Sequence, residues 1–552
     1  MSDDPARQRL RGERAVVIVA AVALTVLFAY PIAREPGRVG RIDNGDGQLS
    51  IWNVAWVART LLTDPRHVFD ANIFYPQRGT LAYSESNLGA GALAIPVYWA
   101  TRNPYAALNS VVLLAFALAF VSAYALVRYL TEDWRAAAIA GIWFAFCPIV
   151  FTRLAHIQLL MTAGLPLVML AMHHLADRPT PRRGAALGVV MAAQALCCGY
   201  YGVFAILMVG FAAIVFASTR RLWTSAPYWI AIATAAGVSI VLVAPAFFPY
   251  EAFQQTTGFR RTVGQAVRYS ANWSAYLASP AYAHAWLLRR LPQWNDVLFP
   301  GILVTVFGVA GAVAGLRERE GVRERAGEVT LLYGGIALFA CWLSFGPAAG
   351  LYSLFYRVMP LFSWLRVPSR FGLLVVFGLS VLGGVGVSAA LKRVPRPALA
   401  FTLLAVCACA ELLAPLNMRE VPPIEPVYTT LKALPPGPVI EMPYFYLEFM
   451  FPRHTAYMLQ STTHWMPLVN GYSDFMPPDF LANVMTLAPF PSRDSLKLLG
   501  ARHVRYAVFH KYWYNDLNWH DVTARLKEFQ ADLRLLYADD GTRLYEIVGV
   551  PP

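Results

Sequence analysis

Residues 107–129 read ALNSVVLLAFALAFVSAYALVRY. The run is apolar almost throughout, with its one charge, Arg128, at the far end. An α-helix of about twenty such residues crosses a hydrocarbon core about 30 Å thick. Ten more stretches of this kind follow the same rule, so the candidate spans lie at 14–32, 107–129, 135–152, 157–175, 184–199, 201–217, 226–246, 299–316, 329–345, 370–391 and 397–416. The expected fold is therefore an α-helical polytopic membrane protein of about eleven transmembrane helices.

Composition agrees with that reading. Over the 552 residues, 57% are hydrophobic and 14% charged, against about 25% charged in ordinary soluble domains. A net charge of +13 in a soluble chain would suggest nucleic acid. Here the basic residues stand in short clusters between apolar blocks, which is how topology is written and excludes a nucleic-acid partner. The clusters are Arg128 with Arg135; Arg178, Arg182 and Arg183; Arg220 and Arg221; Arg317, Arg319, Arg323 and Arg325; and Lys392, Arg393 and Arg396. With a cytoplasmic N-terminus, all of them face the cytoplasm.

The first apolar block follows Arg7, Arg9, Arg11 and Arg14 and has no small-residue cleavage site, so it reads as an uncleaved helix. Cys147, Cys197, Cys198, Cys341, Cys407 and Cys409 all fall in apolar blocks, where they read as small packing residues rather than disulfide or zinc partners. The stretch Leu88 to Trp99 is too short to span and contains Pro96. It reads as an interfacial or re-entrant piece.

Three segments on the opposite, extracytoplasmic side are long enough to hold a site: a first loop at 34–105, a second at 247–298, and the tail 418–552. The tail has strand-like runs at PVIEMPYF, HVRYAVFH and RLYEIVGV, with an amphipathic stretch at DVTARLKEFQADLRLLYA. The expected division is a membrane domain over 1–417 and a small extracytoplasmic α/β domain over 418–552. No internal repeat is evident, so an inverted-repeat transporter gains no support.

The first loop opens RIDNGDGQLSIWNVAW, with Asp43 and Asp46 just past the first helix and Gly45 and Gly47 flanking Asp46. Such carboxylates suit acid–base chemistry, and flanking glycines permit close approach to a ligand; the same residue types also build any surface turn. Trp52, Trp56 and Arg59 then recur at helical spacing, as in an amphipathic helix lying on a bilayer. Asp70, Tyr75, Arg78 and Glu85 follow in a long polar stretch; Glu85 is a second candidate acid or a helix-capping residue.

Arg153 and His156 sit at an extracytoplasmic turn, against the prevailing charge pattern, and suit either lipid phosphate or a shared cavity. The second loop adds Arg260, Arg261, Arg268, Arg289 and Arg290 against only Glu251 and Asp296. Arg366 and Arg370, with Pro368 between them, are spaced to meet on one anion. Carboxylates and cations gathered on one side of a bundle suit sugar transfer from a lipid phosphate, which needs a base for the acceptor hydroxyl and cations for the phosphate.

The segments WVARTLLTDPRHVFDANIFYPQRGTLAYSE, RLAHIQLL, CCGYYGVF, LRVPSRFG and PLVNGYSDF resemble a bacterial group within the GT-C superfamily of polytopic membrane glycosyltransferases, over nearly the whole chain. The resemblance implies an inverting transferase of the bacterial cytoplasmic membrane. Its donor would be a polyprenyl-phosphate or polyprenyl-diphosphate sugar, and its acceptor a hydroxyl on a glycan, lipid or protein. It implies a first-loop acid as base: Asp46 first, then Asp43, with Glu85 as a further acid. Arg366, Arg370, Arg153, His156 and Arg268 are the phosphate-binding candidates. The adjacent acidic pair of protein O-mannosyltransferases is absent, since Asp43 and Asp46 lie three apart; a divalent metal, magnesium or manganese, would fall to these two.

Two other readings stand beside it. A flippase or transporter would place ionisable groups at mid-membrane, where Glu411 is the clear acidic candidate. A non-catalytic envelope-assembly protein would use the tail, whose HWMPLVNGYSDF is aromatic enough to stack on sugars or simply to pack a core.

Overall fold

The computed structural model describes residues 5–291, 293–317 and 323–548. Helices occupy all eleven expected span positions, and seven of them are long and apolar enough to cross a membrane, from Pro104–Thr131 to Pro368–Leu391. Ile302–Arg317 and Pro397–Leu412 are shorter apolar helices. Val241 and Leu338 are 71% and 74% exposed on such helices. Rows of bare aliphatic side chains on a long helix need lipid to cover them, and the chain is an integral membrane protein. Among the described residues all six cysteines are free thiols.

The chain divides into two compact units. The first comprises Met1–Arg34, Val111–Phe248 and Gln254–Asn417, a helical bundle. Its tightest seam joins Ile302–Arg317 to Gly372–Leu391. A side chain at Gly311 would lie 2.0 Å from the Leu382 carbonyl oxygen, and one at Gly386 would lie 2.4 Å from that of Phe307. Only glycine lets two backbones approach so closely, the packing device of membrane helices.

Several of the basic residues that mark helix ends are tied to acids. Arg128 Nε donates to Glu13 at 2.8 Å, and Tyr124 joins the same carboxylate at 2.7 Å. Arg220 binds Asp177 at 2.8 Å and Glu328 at 2.6 Å, fastening three helix ends together. The side chains of Arg7, Arg9, Arg11, Arg319, Arg323 and Arg325 lie outside the described residues.

The second unit comprises Glu35–Ser110, Pro249–Phe253 and Met418–Pro552. The long first loop thus folds into one body with the tail. Short strands β1 (Val39–Gly40) and β2 (Arg419–Glu420) pair antiparallel. A four-stranded sheet follows, made of β3 (Val439–Met442), β4 (Tyr506–His510), β5 (Leu533–Ala538) and β6 (Thr542–Ile547), in the order β3-β4-β6-β5. Only β3 and β4 run parallel. The stretch read as one amphipathic segment divides into a helix, Asp516–Glu528, and strand β5. Its alternation changes from helical to extended after Phe529.

The Gly45–Thr63 helix departs from its expected setting. Trp52 and Trp56 are 1% and 7% exposed and belong to the core of this unit. Their indole N–H groups donate to Asn72 Oδ1 at 3.0 Å and to the Val68 carbonyl at 2.9 Å. Buried indoles that find partners are packing residues, so this helix is not a bilayer-surface anchor. Leu88–Thr101 is a helix packed on it, with Gly91 against Val57.

Candidate functional site

Of the candidate acids, Asp43 and Asp46 lie at the N-terminus of the Gly45–Thr63 helix. Asn44 caps it, its side-chain oxygen accepting from the Gly47 N–H at 2.8 Å. Asp46 stands exposed in the first turn, where the helix dipole favours a negative charge. The flanking glycines serve packing: a side chain at Gly47 would lie 1.8 Å from the Arg41 carbonyl, and one at Gly45 would lie 3.1 Å from Pro452. Gln48 then locks the turn, donating to the Ile42 carbonyl at 2.9 Å and accepting from Thr455 at 2.7 Å.

Asp43 differs from Asp46. Arg41 Nε donates to its carboxylate at 2.9 Å and Nη2 at 3.3 Å. Partial burial pushes its pKa up, but these bonds and the Arg41 and Arg419 charges outweigh it, holding the carboxyl below the usual range. A carboxylate held this way is a poor proton acceptor.

Glu85 is half-buried, two residues before Asn87, which precedes the Leu88–Thr101 helix and makes no side-chain cap bond. The Tyr250 hydroxyl grips its neighbours, accepting from the Ser86 N–H at 2.8 Å and donating to the Ser84 carbonyl at 3.0 Å. Asp70 pins the preceding loop by accepting from the Gly79 N–H at 2.7 Å.

The candidate cations meet around residues 365–370 of the bundle. The Tyr200 hydroxyl accepts from the backbone N–H of Arg366 at 2.7 Å and of Val367 at 3.2 Å. Its ring lies under the Arg370 guanidinium, 4.2 Å from the centroid. The Tyr269 ring serves Arg366 at 5.7 Å and Arg268 at 5.8 Å. Arg153 is paired with Asp296, whose other carboxylate oxygen accepts from Ser369 Oγ at 2.5 Å. The His156 N–H donates to the Arg153 carbonyl at 2.8 Å, fixing that turn. Among the described residues, no carboxylate pairs with Arg370.

Tyr200, Tyr269, Ser369 and Asp296 were not candidates by sequence. Tyr200 lies within CCGYYGVF, one of the segments carrying the resemblance; Asp296 stood out only as a rare acid in a basic loop.

Other sequence candidates prove structural. Glu411 accepts from the backbone N–H of Ile302 and, at 3.2 Å, of Leu303, and faces His284 at 3.2 Å. It caps a helix rather than standing open at mid-membrane. Trp465 packs on Trp56 and donates to the Tyr98 hydroxyl at 3.2 Å, while Phe475 packs on Tyr83. HWMPLVNGYSDF therefore builds core. Among the described residues no three His, Cys, Asp or Glu side chains gather as a metal site. A divalent metal on Asp43 would compete with Arg41 for its carboxylate.

The sheet carries a separate buried cluster. His510 Nε2 lies 2.7 Å from Glu441 and Nδ1 lies 3.6 Å from Glu425, with Tyr428 and Tyr512 at 3.2 and 3.0 Å. Glu425 and Tyr512 also line an open depression of about 480 Å³ with Asp539 and Asp540. Burial lowers the His510 pKa, but the flanking carboxylates raise it to about 9.

No family model matches the chain, and no curated protein does. Among solved structures, arabinofuranosyltransferase AftD from Mycobacteria is similar, with a TM-score of 0.56 and 14% identity over 97% of this chain and 40% of that one. The chain therefore spans well under half the length of that enzyme. Archaeal oligosaccharyltransferase AglB from Archaeoglobus fulgidus, solved with an inhibitory peptide and a dolichol-phosphate, matches with a TM-score of 0.51 and 13% identity, over 96% of this chain and 74% of that one. These likenesses show that the chain shares the fold of these two structures.

Proposed function

We propose that the chain is an inverting glycosyltransferase that moves a sugar from a polyprenyl-phosphate or polyprenyl-diphosphate donor to an acceptor hydroxyl on the extracytoplasmic face. Within a GT-C-like fold, one observation carries the reading. The first-loop acid Asp46 stands in the first turn of the Gly45–Thr63 helix, and that helix end is fixed by the Asn44 cap, by Gln48 on the Ile42 carbonyl and by Thr455 on Gln48.

In this reaction Asp46 takes the acceptor hydroxyl proton as the acceptor oxygen attacks the anomeric carbon. The bond from that carbon to the phosphate oxygen breaks, and its electron pair leaves on the lipid phosphate. Within the bundle, Arg366 and Arg370, with Arg268 beside them, are the residues suited to a lipid phosphate as its charge develops. Arg370 suits the task because its guanidinium lies on an aromatic face and has no paired carboxylate among the described residues.

The test is donor turnover in membranes holding the wild-type chain or Asp46→Asn, read by mass spectrometry of the polyprenyl lipids. Wild type is expected to consume a polyprenyl-linked sugar, and Asp46→Asn to consume it about 10²–10⁴-fold more slowly. Equal turnover in both excludes Asp46 as the base.

A further inference from the structure

We infer that Asp296 is the positioning residue of the arginine cluster. Its carboxylate fixes the Arg153 turn to the segment carrying Arg370 and so presets the cations for a phosphate; the inference rests on the phosphate-binding role proposed above.

Asp296 is the acid among four arginines, and both of its carboxylate oxygens are engaged. One oxygen takes Arg153 Nη2 and the Val297 N–H, the latter at 2.7 Å; the other takes Ser369 Oγ at 2.5 Å. Ser369 is buried and precedes Arg370 in the same short helical turn, Pro368–Phe371. Its N–H donates to the Tyr269 carbonyl at 3.2 Å, and the Tyr269 ring carries Arg366 and Arg268. One carboxylate thus reaches Arg153 directly, Arg370 through Ser369, and Arg366 and Arg268 through Ser369 and Tyr269.

Asp296 itself is held. The residues that follow are anchored by Leu298 N–H to the Ala275 carbonyl at 2.9 Å and Phe299 N–H to that of Ala278 at 3.1 Å. Guanidinium groups on long stems lose much rotamer freedom when they close on a ligand. A carboxylate that already orders them removes part of that cost. This also accounts for a cation at the turn of Arg153: its charge is balanced in place, and its fork is aimed.

The test uses the full chain in nanodiscs, with undecaprenyl phosphate as probe and undecaprenol as the phosphate-free control. Asp296→Asn is expected to weaken phosphate-lipid binding about tenfold while leaving the alcohol unaffected, and Asp296→Glu to restore part of the loss. Asp296→Asn combined with Arg153→Gln is expected to lose less than the sum of the two single losses, because both act on the Arg153 guanidinium, yet more than Arg153→Gln alone, because the Ser369 bond is weakened as well. Additive losses, or a lowered unfolding temperature with unchanged affinity, overturn the proposal and leave a plain structural ion pair. Should Asp296→Asn fail to fold, Ser369→Ala cuts the second bond alone and is expected to weaken binding by itself; unchanged affinity there overturns the proposal. If Arg366→Gln with Arg370→Gln also binds as wild type does, it is the phosphate-site reading that fails.

Discussion

The difference between Asp43 and Asp46 comes down to one neighbouring side chain. Arg41 stabilises the Asp43 carboxylate and so removes its appetite for a proton. Asp43→Asn is therefore expected to slow donor turnover less than about tenfold, against the far larger loss for Asp46→Asn. The sequence singled out both acids by their place beside Gly45 and Gly47 just past the first helix, a composition that any surface turn also uses. Tyr200 was not legible there, since its bond to Arg366 joins residues 166 positions apart and no local pattern marks it. Its hydroxyl is the acceptor for two backbone N–H groups, so Tyr200→Phe keeps the ring beneath Arg370 but strands both donors. The expected cost is about 1–3 kcal/mol of stability, read as a lower unfolding temperature in detergent, with a rise in the donor KM.

At the scale of elements, the spans were legible because a membrane helix is apolar all round and about twenty residues long, a signal that needs no tertiary context. The Gly45–Thr63 helix was misread for the complementary reason: Trp52 and Trp56 at helical spacing face a bilayer or a protein core equally well. Their partners, Asn72 and Val68, decide it, and those lie in loop. The seam at Gly311 gives a direct test of packing. Gly311→Val drives a side chain into the Leu382 backbone, forcing the helices apart, and is expected to cost at least about 1–3 kcal/mol in thermal unfolding. The sheet gives a pH test. His510 has its pKa raised to about 9 when folded, against an ordinary 6.5. Its ion pairs therefore contribute fully below about pH 6.5 and fade as pH rises through about 9. Unfolding temperature measured from pH 6.5 to 9 is expected to fall in wild type more steeply than in His510→Gln. The substitution itself is expected to lower stability by about 3–5 kcal/mol at neutral pH, because it leaves Glu441 buried and unpaired.

For the whole molecule, the first loop and the tail form one body, and the sequence hid this because nothing in residues 35–110 announces strands or a core shared with residues beyond 417. The link is made by residues far apart in the chain: Asn72 Nδ2 donates to Ser461 Oγ and to the Met466 carbonyl, both at 3.1 Å. Charge gives the expected orientation of the chain in the membrane. Lys392, Arg393 and Arg396 mark one end of the bundle, and moving such clusters across a bilayer is opposed. The proposed reaction needs the opposite side for Asp46 and for the sheet domain that shares its unit. Single cysteines placed at exposed Asp540 and exposed Arg393, in a chain whose native cysteines are replaced, separate the cases. Asp540→Cys is expected to react with a membrane-impermeant maleimide in intact cells, and Arg393→Cys only after permeabilisation. The reverse pattern would put Asp46 in the cytoplasm, with soluble nucleotide sugars at hand, and a lipid-linked donor would lose its reason.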